Sequence, residues 1–222
     1  MRRGVVLAVC LCAGAAVAHD PITTKVTYSV EIVRLFQKRC FSCHQEGGKA
    51  PMPLVKYEEA RPWAKAIKEE VLERRMPPWG AVKGFGAFQH DQGLTQEEIS
   101  IIADWVEGGA PEGEPKYYPE LRIPEVEPPK LPARKMQFRQ SLRLPSSMRL
   151  AAIAPRVQGE LEEVRITAEQ PDGSIEPLLW LRKYKGEWKH VFVFRKPVAV
   201  AAGTVVRAEP PSRGSFLIYA QK

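Results

Sequence analysis

Long apolar runs are almost absent from this chain of 222 residues, and the one that exists lies at its very start. Beyond it no segment is long enough to span a membrane, so no transmembrane anchor is expected. No basic cluster interleaved with aromatics accompanies the formal charge of +7 and pI near 9.3, which argues against a nucleic-acid partner. The charge reads instead as a general surface property that favours acidic partner proteins. No internal repeat or low-complexity tract is found. Cysteine is scarce as well: there are four, and two of them, Cys10 and Cys12, lie in the N-terminal apolar run.

That run has the layout of a secretory signal peptide. Arg2 and Arg3 provide the charged start, Gly4 to Ala15 the apolar stretch, and Ala16-Val17-Ala18 a small-residue cleavage site. Cleavage between Ala18 and His19 removes residues 1–18 and two arginines, lowers the charge from +7 to +5, and implies a periplasmic or otherwise extracytoplasmic protein. Val9 and Leu11 precede the two cysteines where a lipidation site wants small residues, so a lipid anchor is not expected. His19, as a new N-terminus, has the groups for a copper site but no partner histidine, and is read as an accident of cleavage.

The mature chain therefore keeps Cys40 and Cys43 alone. A disulfide between them would close a trivially small loop, so the pair is read as chemical, not architectural. His44 follows immediately. Two thiols at this spacing reach the two vinyl groups of a haem, and a histidine directly after the second brings its imidazole to the iron. A dithiol redox pair would need a preceding strand and a βαβ context, whereas a helix is expected here.

That helix is predicted over Val30–Cys40, with Val30, Ile32, Val33 and Phe36 apolar and Ser29 as its cap. A second is predicted from about Pro62, presenting Trp63, Ile67 and Val71 on one face and ending at Met76-Pro77-Pro78. A third carries a capping box at Thr95 and Glu98, an apolar stripe of Ile99, Ile102, Trp105 and Val106, and a stop at Gly108-Gly109. Together they predict a small all-α haem domain over residues 19–110. Prolines then recur at 111, 115, 119, 124, 128, 129 and 132, marking a linker over 111–134. From 135 to 222 the apolar period becomes two and Pro171-Asp172-Gly173 signals a hairpin, predicting an all-β sandwich or open barrel of about seven strands. The whole is thus an α + β multidomain chain.

The sixth position on the iron has three candidates, Met52, Met76 and His90. Met52 lies close behind His44, on the side the chain must pass. Met76 ends a helix, and Pro77-Pro78-Trp79 would stiffen the backbone behind its sulfur and leave Trp79 to cover the haem. His90 sits in a loop and is the alternative, whereas His190, in a predicted strand, receives no role.

Residues 25–119 resemble a distinct group of bacterial c-type cytochrome domains through Cys40-Phe41-Ser42-Cys43-His44, Ala50-Pro51-Met52-Pro53-Leu54, Arg61-Pro62-Trp63-Ala64, Met76-Pro77-Pro78-Trp79 and Trp105-Val106-Glu107-Gly108-Gly109. The resemblance implies one covalent haem c, His44 and Met76 as axial ligands, and Trp79 and Trp105 near the cofactor. By likeness to class I cytochromes c, the Pro51 carbonyl is expected to accept the N–H of His44, with Leu54 packing beside the haem. Residues 148–209 resemble part of the C-terminal lobe of copper type II, ascorbate-dependent monooxygenases. The histidine pair that binds copper there would fall at Pro155-Arg156-Val157-Gln158-Gly159, which has no histidine, so copper is not expected. The implied function is electron transfer to redox partner proteins, with the β domain for docking, possible assembly on an envelope complex, and no enzymatic activity of its own. The alternative is a haem-containing component of an oxidoreductase complex.

Overall fold

The computed structural model describes residues 25–123 and 127–221; the predicted signal peptide, its expected cleavage site and His19 lie outside them. The first helical turn begins at Tyr28 and runs into α1 (Val33–Arg39). Ser29 is not its cap. The helix starts earlier than its apolar pattern, with Thr27 extended at the boundary and its backbone N–H donating to the Glu31 carboxylate at 2.8 Å. Ser29 is buried inside the turn, and the N–H groups of Tyr28 and Ser29 donate to the carbonyls of Pro111 and Glu112 (3.0 and 2.8 Å). The start of the proline-rich segment thereby satisfies donors that a helix start leaves orphaned.

The helix predicted from about Pro62 is preceded by an extra turn and ends at Leu72, before Met76. Tyr57–Ala60 forms α2, Arg61–Trp63 tightens to a 3₁₀ turn around Pro62, and Ala64–Leu72 forms α3. Because Trp63 sits in the tightened turn it drops off the buried face and is 44% exposed, while Ile67 and Val71 are buried. The third helix, α4 (Gln96–Glu107), follows its sequence signals. The Glu98 N–H donates to Thr95 Oγ1 (3.1 Å), the Thr95 N–H donates to the Glu98 carboxylate (2.8 Å), and Ile99, Ile102 and Trp105 face inward. It stops where Gly109 takes φ +89°, a conformation that glycine adopts without steric cost.

These helices enclose a core in which Trp105 packs edge-on against Phe36 (6.2 Å between ring centroids) and at a tilt against Tyr28 (6.0 Å). Arg39 pins α1 to α4 through a two-pronged pair with Glu98, whose closest contact is 2.9 Å. This pair is shielded, since the two side chains are only 9% and 15% exposed.

The C-terminal region has eight strands: β1 (Arg134–Phe138), β2 (Ser141–Arg143), β3 (Met148–Arg156), β4 (Glu160–Glu169), β5 (Ile175–Lys185), β6 (Phe192–Val200), β7 (Val205–Glu209) and β8 (Ser215–Gln221). They form two antiparallel four-stranded sheets, ordered β1-β8-β3-β6 and β2-β7-β4-β5. Alternating residues such as Val164, Ile166 and Ala168 point into the shared core. The β4–β5 hairpin turns at Pro171-Asp172-Gly173, with Gly173 at φ +86°.

Strands β5 and β6 are the edges of their sheets on one side of the sandwich. Both edges are covered by residues 79–89 of the helical half. Ala81 pairs with Leu181 on β5, with hydrogen bonds from Val82 N–H to the Trp180 carbonyl (2.8 Å) and from Arg182 N–H to the Gly80 carbonyl (2.9 Å). Phe88 pairs with Phe194 on β6, through Gln89 N–H to Val193 (2.8 Å) and Arg195 N–H to Ala87 (2.7 Å). Between them the strap passes so close to β5 that a Cβ on Gly86 would lie 2.3 Å from the Leu178 carbonyl oxygen. Covering unpaired strand edges in this way removes a surface on which another chain could pair.

Candidate functional site

The CxxCH segment leaves α1 in a tight turn, with the N–H groups of Cys43 and His44 both donating to the Cys40 carbonyl (3.0 and 2.9 Å). Cys40 and Cys43 are free thiols, each partly buried. Burial, reinforced by the neighbouring Cys43, pushes the Cys40 thiol up to about 12. At neutral pH such a sulfur is a thiol and not a thiolate, the opposite of the acidic, exposed cysteine that a dithiol exchange site requires.

His44 is oriented by the chain that follows it. Its Nδ1 lies 3.0 Å from the Met52 carbonyl, so Nδ1 carries the proton and the lone pair is left on Nε2. The acceptor is therefore Met52 and not Pro51. The extra residue in this segment relative to a Pro-x-Leu motif moves the carbonyl facing the ring by one position, and Pro51 is left exposed. This also puts the Met52 backbone on the histidine's side. Leu54 is buried, its N–H donates to the His44 carbonyl (3.0 Å), and its own carbonyl accepts from the Tyr28 hydroxyl (2.8 Å). A histidine with one nitrogen held and the other available, directly after two free thiols, is a donor set that fits haem c.

Met76 follows α3. Its N–H donates to the Glu70 carbonyl (3.2 Å) and its side chain is 41% exposed. It lines a cleft of about 460 Å³ that runs between the end of α3, the start of α4 and β5, with Val71, Leu94 and Ile99 on one wall and Arg182 and Lys183 on the other. Cys40, Cys43 and His44 do not line this cleft. His90 does not line it either. It is exposed at φ +49°, just beyond the strap's contact with β6.

Trp79 differs most from expectation. It lines the Met76 cleft, but its ring belongs to the core of the β-sandwich, 4.8 Å from Phe192, 5.4 Å from His190 and 6.3 Å from Phe88. The strap's pairing with β5 draws it there. Trp105 is buried among the helices, its indole N–H donating to the Pro111 carbonyl (3.0 Å), so it braces α4 against the chain after it.

His190, which carried no sequence signal, sits in the connection before β6 and not in a strand. Its Nε2–H donates to the Pro78 carbonyl, and its backbone N–H donates to the Tyr184 hydroxyl (3.0 Å). Burial holds this imidazole below its usual range, against the opposing effect of the Pro78 bond. Among the described residues, no cluster of three or more histidine, cysteine, aspartate or glutamate side chains is arranged to hold a metal ion, and no helix is long and apolar enough to cross a membrane.

No curated protein matches the chain significantly. A family model described as Cytochrome C oxidase, cbb3-type, subunit III matches residues 31–106, which contain all of α1 to α3, the CxxCH segment, Met76 and the strap. The β-sandwich lies outside that match, and its likeness to a monooxygenase lobe rests on sequence stretches alone. The helical region is thus a c-type cytochrome domain, similar over residues 31–106 to the third subunit of cbb3-type oxidases, and it supports electron transfer by haem.

Proposed function

We propose that the protein is an extracytoplasmic monohaem electron carrier. Cys40 and Cys43 would tether the haem through thioethers, and His44 Nε2 and Met76 would supply its protein ligands. The observation that carries this reading is the engagement of His44 Nδ1 by the Met52 carbonyl beside two free thiols, in a region that matches a cytochrome family. Bound there, haem c would exchange single electrons between ferric and ferrous iron. The chain's own residues orient the imidazole, raise its basicity through the carbonyl bond, and exclude water with Leu54 and the aromatic core.

Met76 is favoured over the other candidates for two reasons. The Met52 backbone is committed to the proximal side, and the family resemblance carried by Met76-Pro77-Pro78-Trp79 assigns the ligand to Met76, although the cleft that Met76 lines is not one that Cys40, Cys43 or His44 also line. The same cleft carries Arg74, Lys83, Arg182 and Lys183 against Glu73 as its one acidic residue, a balance suited to an acidic redox partner docking beside it. The N-terminal sequence supports export, and no copper is assigned to the sandwich.

The test is an optical and resonance Raman spectrum of the holoprotein beside a Met76→Ala variant. A six-coordinate low-spin haem that loses its sulfur ligand in the variant supports the reading. Ready binding of carbon monoxide to the reduced wild-type protein points instead to a haem-containing component of an oxidoreductase complex.

A further inference from the structure

Met76 is anchored at both ends, by different halves of the molecule. On its N-terminal side, Arg75 and Met76 N–H groups hang from the Glu70 carbonyl at the end of α3 (2.9 and 3.2 Å). On its C-terminal side stand Pro77 and Pro78, which have no N–H to donate. The only backbone handle that Pro78 offers is its carbonyl, and that handle is taken by His190 of the sandwich. His190 is itself held. Its N–H is bonded to the Tyr184 hydroxyl and its ring packs against Trp79 and Phe192 (5.4 and 5.7 Å). The next residue, Trp79, is 6% exposed in the sandwich core, and the following backbone is paired to β5.

We propose that the β-sandwich is a clamp on the loop that carries the distal ligand, with His190 as the positioning residue that fixes the Pro78 carbonyl and so the backbone behind Met76. This rests on Met76 being that ligand. A thioether is a weak ligand, and its occupancy of the iron depends on how little freedom the loop must give up to deliver it. Holding the loop by a second domain supplies that restriction in advance. The sandwich then governs the sixth coordination position without any side chain of its own on the iron, which gives the attached lobe a role.

The test uses the full-length mature holoprotein and imidazole as an external ligand that competes with the sulfur for ferric iron. His190→Phe keeps the aromatic packing and removes the donor, and His190→Gln restores a donor. If the clamp is right, His190→Phe binds imidazole about fivefold more tightly than wild type, the change expected for losing one hydrogen bond, with covalent haem content unchanged, and His190→Gln returns toward wild type. Trp79→Phe, which loosens the same anchor from its aromatic side, shifts imidazole affinity in the same direction. Wild-type imidazole affinity in both His190→Phe and Trp79→Phe, beside a Met76→Ala variant that binds imidazole far more tightly, overturns the clamp and leaves the ligand assignment standing. Unchanged affinity in Met76→Ala itself overturns the ligand assignment, and the clamp with it.

Discussion

The two sides of the proposed haem site are built in different ways. The histidine side, from Cys40 to Leu54, is held wholly within the helical domain, by short-range bonds of the kind that join His44 to Met52 and Leu54. The methionine side is held across the molecule, by a strap that lends Trp79 and Phe88 to the sandwich core and by the His190 bond to Pro78 just before that strap. The difference teaches that the two segments have different supports: the CxxCH segment is held by contacts within the helical domain, while the loop carrying Met76 is tied to the β domain through the Pro78–His190 bond and the pairing of residues 79–89 with β5 and β6.

The largest blow to this contrast comes from Trp79→Ala. Removing a buried tryptophan from the sandwich costs about 3–5 kcal/mol, whereas the exposed Trp63→Ala stays within about 0.5 kcal/mol. Thermal unfolding of the two variants separates them. Equal effects would mean that Trp79 is not a core residue and that the strap is only lightly attached.

Glu98→Gln probes the helical side. It keeps a hydrogen-bonding group but removes the charge that grips Arg39, and a loss of about 1–3 kcal/mol is expected for a shielded, charge-assisted pair. Burial pushes the Glu98 carboxyl up, but the Thr95 N–H and the Arg39 guanidinium outweigh it and hold the group below its ordinary range. Its contribution to stability is therefore complete above 4.5 and is lost as the pH falls below that value. The acid limb of a melting-temperature profile should flatten in Glu98→Gln.

The smallest effect belongs to His190. Its folded-state pKa is lowered, so the unfolded chain takes up the proton first as the pH falls through 6.5. The stability it lends is complete above 6.5 and declines below it. Wild type should lose more melting temperature than His190→Gln over this window, and identical profiles would show that the imidazole does not have to be neutral to hold the loop.

What could be read from the sequence was local. The CxxCH spacing, the Thr95–Glu98 box and the Pro171-Asp172-Gly173 turn each fit within one turn of chain, so residue types alone carry them. Misjudged features depended on partners elsewhere. Ser29 resembles a cap until the carbonyls of Pro111 and Glu112 are seen to meet the helix start. Trp63 fits an apolar stripe until the Pro62 turn rotates it outward. Pro51 fits a known pattern until one inserted residue hands its role to Met52. Trp79 lines the cleft beside Met76, as its place next to the prolines suggests, but the packing of its ring against Phe192 and His190 has no local signal. His190 lies 112 residues from its partner Pro78, and no periodicity or motif encodes such a contact.

The central claim is that Cys40 and Cys43 bind one haem covalently. Its most direct measurement is the intact mass of the exported, fully denatured holoprotein, read beside a haem-peroxidase stain of the same denaturing gel. The account predicts a chain heavier by one haem, with the stain at the position of the protein and lost in a Cys40→Ala/Cys43→Ala double variant. A denatured chain at its bare polypeptide mass, with no stain, would contradict it.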